Sequence, residues 1–215
     1  MYVPAHHAPP SLEAMLALVD AHPLGTLVSM DSEGPVADHL PFVLDRQAPG
    51  QGRLLAHVAR ANPVWRHWHG GAPVLVVFQG PSHYVSPSWY PSKQVAGKVV
   101  PTWNYQAVHI RGVPRIVEDA DTQHAMLEHL TRHAERPLHG DAHWRVADAP
   151  AGFIDKLRRA TVAFQIEITS VQGRWKLAQD EAPADRAGAV DGLGALGTPA
   201  ALAMQHSMVN PSRTL

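Results

Sequence analysis

From Phe78 to Gly112 the chain reads FQGPSHYVSPSWYPSKQVAGKVVPTWNYQAVHIRG, and this stretch constrains the fold more than any other. Two apolar runs, Pro73 to Phe78 and Val108 to Ile116, frame a connection of about thirty residues, and a connection that long in a compact domain either builds a site or is disordered. It holds Tyr84, Trp89, Tyr90, Trp103 and Tyr105, and disordered segments are poor in aromatics. The stretch therefore reads as a site-builder held between strands.

Around it, the sequence predicts one core. At 215 residues the chain can bury a genuine hydrophobic interior. A net charge of -1 with 17% charged residues gives no broad basic field for nucleic acid. Zero cysteines exclude disulfides, thiolate metal sites and a cysteine nucleophile, and fit a reducing compartment. No run of 18 apolar residues is present, and the N-terminus MYVPAHHAPP has no charged segment followed by an apolar one. The expectation is a soluble cytoplasmic protein with no membrane partner.

Taken in order, Ser11 caps a predicted helix in which Leu12, Met15, Leu16 and Val19 form an apolar stripe. Leu24 to Met30 and Pro35 to Leu44 form a hairpin over Asp31-Ser32-Glu33-Gly34. Arg53 to Val58 is a third strand that runs into Asn62-Pro63, an N-cap followed by a favoured first helical residue, with Gly70-Gly71 as the stop. Pro73 to Phe78 is a fourth strand and His83 to Ser86 a fifth. Trp103 to Glu118 is a long one in which Gly112 and Pro114 mark a bulge, bend or edge. Asp121 or Thr122 caps a helix to about Arg136, and a second helix covers roughly Ala151 to Ala160. Val162 to Ile168 alternates as a half-buried strand, extended by Trp175 to Leu177 after Gly173, and the tail from about Ala184 is weakly helical. This order predicts a mainly β, α+β fold: an antiparallel barrel or sheet with helices outside, not a doubly wound parallel sheet.

Four places carry candidate chemistry. The turn from His57 to Pro63 offers His57, Arg60, Asn62 and backbone N–H groups at a helix start, a physical match to a phosphate. The same residues also read as a plain cap with a solvated arginine. His39, Leu40 and Pro41 lie where a proline interrupts a strand ladder, which leaves backbone groups for a planar ligand's polar edge; an ordinary edge strand is the other reading. Lys93 offers a charge for a phosphate or for solvent alone. Thr102, Trp103 and Asn104 combine a stacking surface with two hydrogen-bonding groups, or simply pack. No GxGxxG, P-loop, GxSxG or HExxH string is present, which leaves the corresponding nucleotide, hydrolase and zincin readings without a motif. His6-His7 and His67-x-His69 are not assigned a metal: one pair is near a terminus and the other stands two apart on a predicted helix. No catalytic residue stands out.

Several strings in order nevertheless resemble one family. These are MYVP at the N-terminus, HVARANPVW at His57 to Trp65, FQGPSHYVSPSWYPSK at Phe78 to Lys93, VPTWNYQAVHIRG at Val100 to Gly112, and Trp175-Lys176-Leu177 before Asp185-Arg186. They resemble the PaiB family, FMN-binding transcriptional-regulator-like proteins of bacteria. The likeness covers most of the chain to about residue 195. It implies an FMN-binding split β-barrel, similar to flavin reductases and pyridoxamine-phosphate oxidases, over residues 1–180 with inserted helices and a helical tail, 181–215, packed on the same domain. It also implies a homodimer with flavin at the subunit interface. In that family Lys176 and Gln179 fall in a typical Lys-Leu-Ser-Gln-Asn run, whereas this chain has Lys-Leu-Ala-Gln-Asp from 176 to 180. Lys176 and Gln179 remain usable for the cofactor. Asp180, a carboxylate, is expected to point away from a flavin phosphate.

The resemblance thus implies a non-covalent FMN-binding protein of the regulator type. The alternative on the same scaffold is a flavin-dependent oxidoreductase or a haem-binding or haem-degrading protein, because fold does not fix function. Direct DNA binding has no support from charge or from a helix-turn-helix.

Overall fold

The computed structural model describes residues 1–211, apart from the side chain of His69. Its strands form one seven-stranded sheet in the order β2-β1-β5-β6-β7-β4-β3, and every pair with a resolved register is antiparallel. The strands are β1 (Leu24–Asp31), β2 (Gly34–Pro41), β3 (Val43–Asp45), β4 (Arg53–Ala59), β5 (Val74–Val85), β6 (Thr102–Ile116) and β7 (Thr161–Lys176). The helices are α1 (Leu12–Ala21), α2 (Ser92–Val95), α3 (Ala120–His139), α4 (Ala151–Arg159), α5 (Pro183–Leu196) and α6 (Pro199–Val209). The mainly antiparallel sheet with flanking helices is the expected α+β class.

The chain separates into two interleaved units, because β5, β6 and β7 each begin in one and end in the other. One unit comprises Met1–His22, Phe78–His109 and the segment from Val171 onward. Here Ser11 caps α1 by accepting from the Ala14 amide at 3.1 Å. The buried side chains of α1 are Ala14, Leu16, Leu18 and Val19, while Leu12 is exposed, so the apolar stripe turns toward Leu18. Trp175, Leu177, Leu193 and Met204 are fully buried in this unit. At Gly192 in α5 an added Cβ would stand 2.3 Å from the Trp89 ring, so the helix can meet that indole only through a glycine.

The other unit comprises Pro23–Val77 and Ile110–Ser170. The β1–β2 hairpin is closed by Asp31, whose Oδ1 accepts from the Glu33 and Gly34 amides at 2.7 and 3.0 Å, an Asx turn. The core of this unit is aromatic: Phe164 stands 6.3 Å from Phe42 and 4.5 Å from Trp68, ring centre to ring centre. Gly112 sits inside β6 opposite β7, where a Cβ would fall 2.2 Å from the Glu167 carbonyl oxygen. That glycine allows close approach between central strands and does not mark an edge.

Several expected boundaries move. His83 to Ser86 is not a separate strand; β5 continues through Val85, and α2 and a short 3-10 turn, Pro87–Trp89, occupy the link to β6. The supposed thirty-residue connection therefore shrinks to the residues between Val85 and Thr102. Pro35 to Leu44 divides at Phe42, whose amide turns back to the Pro23 carbonyl at 2.9 Å. Asp119, and not Asp121 or Thr122, caps α3 by accepting from the Thr122 amide at 2.8 Å. Pro63–Gly71 is a 3-10 helix.

Candidate functional site

The twelve residues predicted from the sequence divide evenly between the units. His39, Leu40, Pro41, His57, Arg60 and Asn62 lie in the Pro23–Val77 segment, and Lys93, Thr102, Trp103, Asn104, Lys176 and Gln179 lie in the other unit.

In the first set, β2 is an edge strand. His39 and Pro41 are exposed, and Leu40 is half-buried. Asp38 on β2 accepts a hydrogen bond from Asn62 Nδ2 at 2.6 Å, which ties this strand to the start of the 3-10 helix. Asn62 Oδ1 accepts from the Val64 amide at 2.9 Å, so Asn62 is both the cap and the bridge. Sequence reasoning did not single out Asp38, since nothing local marks a carboxylate whose partner lies on another element.

Arg60 donates from Nε to the Arg159 carbonyl at 2.7 Å and from Nη2 to the Thr161 carbonyl at 2.8 Å. It thereby places a positive charge at the C-terminal end of α4, where the helix dipole and unpaired carbonyls favour one. A guanidinium has five N–H donors, so Arg60 keeps donors beyond these two. The amides of Arg60 and Asn62 are engaged by the Ala160 and Ala59 carbonyls at 2.8 and 2.9 Å, so fewer backbone donors remain in this turn than the sequence suggests. His57, on β4 opposite Ala163, has a buried Nδ1 with no hydrogen-bond partner. Burial holds its pKa below the ordinary histidine value.

In the second set, Lys176 on β7 donates from Nζ to Thr102 Oγ1 on β6, which joins two of the predicted residues directly. Trp103 is 55% exposed and Tyr84 43% exposed, with ring centres 6.3 Å apart, an aromatic pair left open to a ligand or partner. Asn104 is fully buried; its Nδ2 reaches Met208 Sδ at 3.5 Å, and its Oδ1 has no partner. Gln179 is spent on its own turn, accepting from the Leu177 amide at 2.7 Å and donating to the Trp175 carbonyl at 2.5 Å. Lys93 is exposed and donates to Ser88 Oγ at 3.3 Å.

Spare donors remain on Arg60 in one unit, while the Lys176–Thr102 pair and the exposed indole of Trp103 lie in the other. A cavity of about 640 Å³ under α3 contains none of the twelve residues. Of the arginines that line it, Arg53 donates to Asp45 Oδ2 at 2.8 Å and to Gln165 Oε1 at 3.0 Å.

Residues 1–170 match the family described as "Putative FMN-binding domain". The chain belongs to this family. FMN is the cofactor that goes with that membership. A Bacillus subtilis relative, protease synthase and sporulation protein PAI 2, is 30% identical over 196 residues, covering 90% of this chain and 89% of its own length. An uncharacterized protein of Emericella nidulans is 32% identical over 234 residues, with 93% of each chain covered. The family is thus fungal as well as bacterial. Among solved structures, the flavocytochrome Anf3 of Azotobacter vinelandii aligns with a TM-score of 0.57 at 14% identity, covering 81% of this chain and 72% of its own. An FAD- and haem-binding protein of Mycobacterium smegmatis aligns with a TM-score of 0.55 at 19% identity, covering 77% and 71%. Likenesses at this level carry the fold alone, that of a split β-barrel. Among the described residues no helix is long and apolar enough to cross a membrane.

Proposed function

We propose that the protein is a cytoplasmic, homodimeric flavoprotein that holds FMN non-covalently at its subunit interface and acts as a regulator through its flavin state or a partner. The observation that carries this reading is the family match over residues 1–170, supported by the exposed Trp103 ring and the Lys176–Thr102 pair on β6 and β7. Exposed apolar side chains at Leu24, Met30 and Trp103 support burial against a second subunit. The name of the B. subtilis relative supports the regulatory role, and the net charge of -1 argues that it is not exerted by direct DNA contact. The flavin, when bound, supplies one- or two-electron redox chemistry. The chain's own residues bind and orient it: Arg60 donates to the phosphate, Lys176 and Thr102 donate to polar oxygens, and Trp103 covers a ring face. In the dimer the Arg60 set of one subunit and the Lys176 set of its partner serve the same flavin.

Subunit mixing tests this arrangement. Arg60→Ala and Lys176→Met homodimers should each bind FMN weakly, whereas a mixed dimer of the two should regain one tight site per dimer. A mixed dimer with no tight site sinks the shared-site reading, and a monomer by light scattering sinks the dimer.

A second reading is favoured by the two structural relatives described as haem proteins: an oxidoreductase or haem-handling protein on the same scaffold. The visible spectrum of freshly purified protein decides between them, with flavin bands for the first and a Soret band for the second.

A further inference from the structure

We propose that His6, His7 and Asp180 form a binding site for a borderline divalent transition-metal ion of the zinc class, separate from the residues assigned to the flavin. His6 Nε2 stands 3.6 Å from Asp180 Oδ2, and His7 Nε2 stands 3.7 Å from Asp180 Oδ1. One ligand atom from each residue lies within 4.8 Å of the others. Ligand atoms each about 2.0–2.2 Å from a common ion stand roughly 3–3.5 Å apart, so a small closure brings these three onto one centre. The distances are also too long for good hydrogen bonds. His7 Nε2 is buried and has none, and a buried polar atom left without a partner is costly unless something else meets it.

The backbone holds the ligands in place. His6 and His7 lie on a single 3-10 turn, Ala5–His7. Asp180 follows a turn in which Ala178 takes φ 59, the left-handed region that non-glycine residues seldom adopt, and in which Gln179 brackets Leu177 and Trp175. Two imidazoles with one carboxylate suit zinc, cobalt or nickel; magnesium and calcium prefer all-oxygen sets. His6 and Asp180 are half-exposed, so water can complete the coordination, as in sites with an open position.

Arg174 sets a condition on binding. Its Nη2 lies 3.3 Å from His7 Nδ1, and an imidazole that ligates through Nε2 carries its proton on Nδ1. That contact therefore opens when the ion binds, while Arg174 keeps the Tyr2 carbonyl at 3.4 Å and the faces of Tyr2 and Tyr105 at 5.8 and 5.6 Å.

The test uses full-length protein without a histidine tag, stripped with chelator and titrated with Zn²⁺ by calorimetry and with Co²⁺ by its visible d–d bands. Wild type should take up one ion per chain. Asp180→Asn keeps the shape and removes the charge, and His6→Ala removes an exposed ligand; each should weaken binding by more than about tenfold, with an unchanged far-ultraviolet circular dichroism spectrum. Absence of saturable uptake, or uptake undiminished by either substitution, overturns the site. The readout does not depend on flavin, so failure here leaves the FMN reading untouched.

Discussion

In the turn from His57 to Asn62 most polar capacity is directed at the protein itself, whereas around Thr102 to Asn104 much of it is left over. Asn62 spends both ends of its amide, on Asp38 and on Val64, and Arg60 holds the end of α4. Across the Thr102 region Trp103 lies open and Asn104 Oδ1 is buried without a partner. A helix-start sequence signal is met largely by capping and helix-end contacts, whereas the Thr102 region keeps an exposed indole and a buried acceptor without a hydrogen-bond partner.

The largest expected effect is at Arg60. If its spare donors bind the flavin phosphate, Arg60→Ala should weaken FMN binding by about 1.5–3 kcal/mol, as for a hydrogen bond to a charged group, measured by flavin fluorescence titration. Unchanged affinity would reduce Arg60 to a helix-end cap. Lys176→Met comes next, with an expected loss of about 1.5–2 kcal/mol. A double-mutant cycle with Thr102→Val should show coupling between the two, because the residues touch; additive losses would mean that they act separately.

Asn62→Ala should sharpen the contrast from the other side, lowering folding stability by about 1 kcal/mol in urea while the FMN affinity of the folded protein changes far less. A large loss of affinity at constant stability would return Asn62 to the ligand site. The smallest effect concerns pH. Burial lowers the pKa of His22 and of His57 below the ordinary 6.5, so on acidification the unfolded chain takes up protons first. Stability should be flat above about pH 6.5 and fall as the pH drops from there through the lowered folded-state values. His57→Gln should make that fall shallower, and an identical slope in thermal melts would show that His57 does not contribute.

What could be read in the sequence follows from the range of each signal. Ser11 and Asn62 act as caps, as their positions before helix starts require, because a cap bonds an amide two or three residues away. The Asp31 turn and the alternation of β7 are local in the same sense. The long strand β5 was obscured because Gly80 and Pro81 look like punctuation, although in the fold Gly80 gives room for Leu18 of α1, 2.8 Å from where a Cβ would be. The family strings made the split-barrel class and FMN legible where residue chemistry alone left alternatives.

The sequence by itself determined the local caps, the strand periods, the absence of thiol chemistry and the family. Tertiary structure decided which distant polar groups meet: Asp38 with Asn62, Lys176 with Thr102, and Asp180 with His6 and His7. Nothing in residue spacing encodes such pairs, since each depends on strands and turns brought together by burial of apolar side chains. Burial is non-directional, so it fixes these meetings only through the whole packed fold.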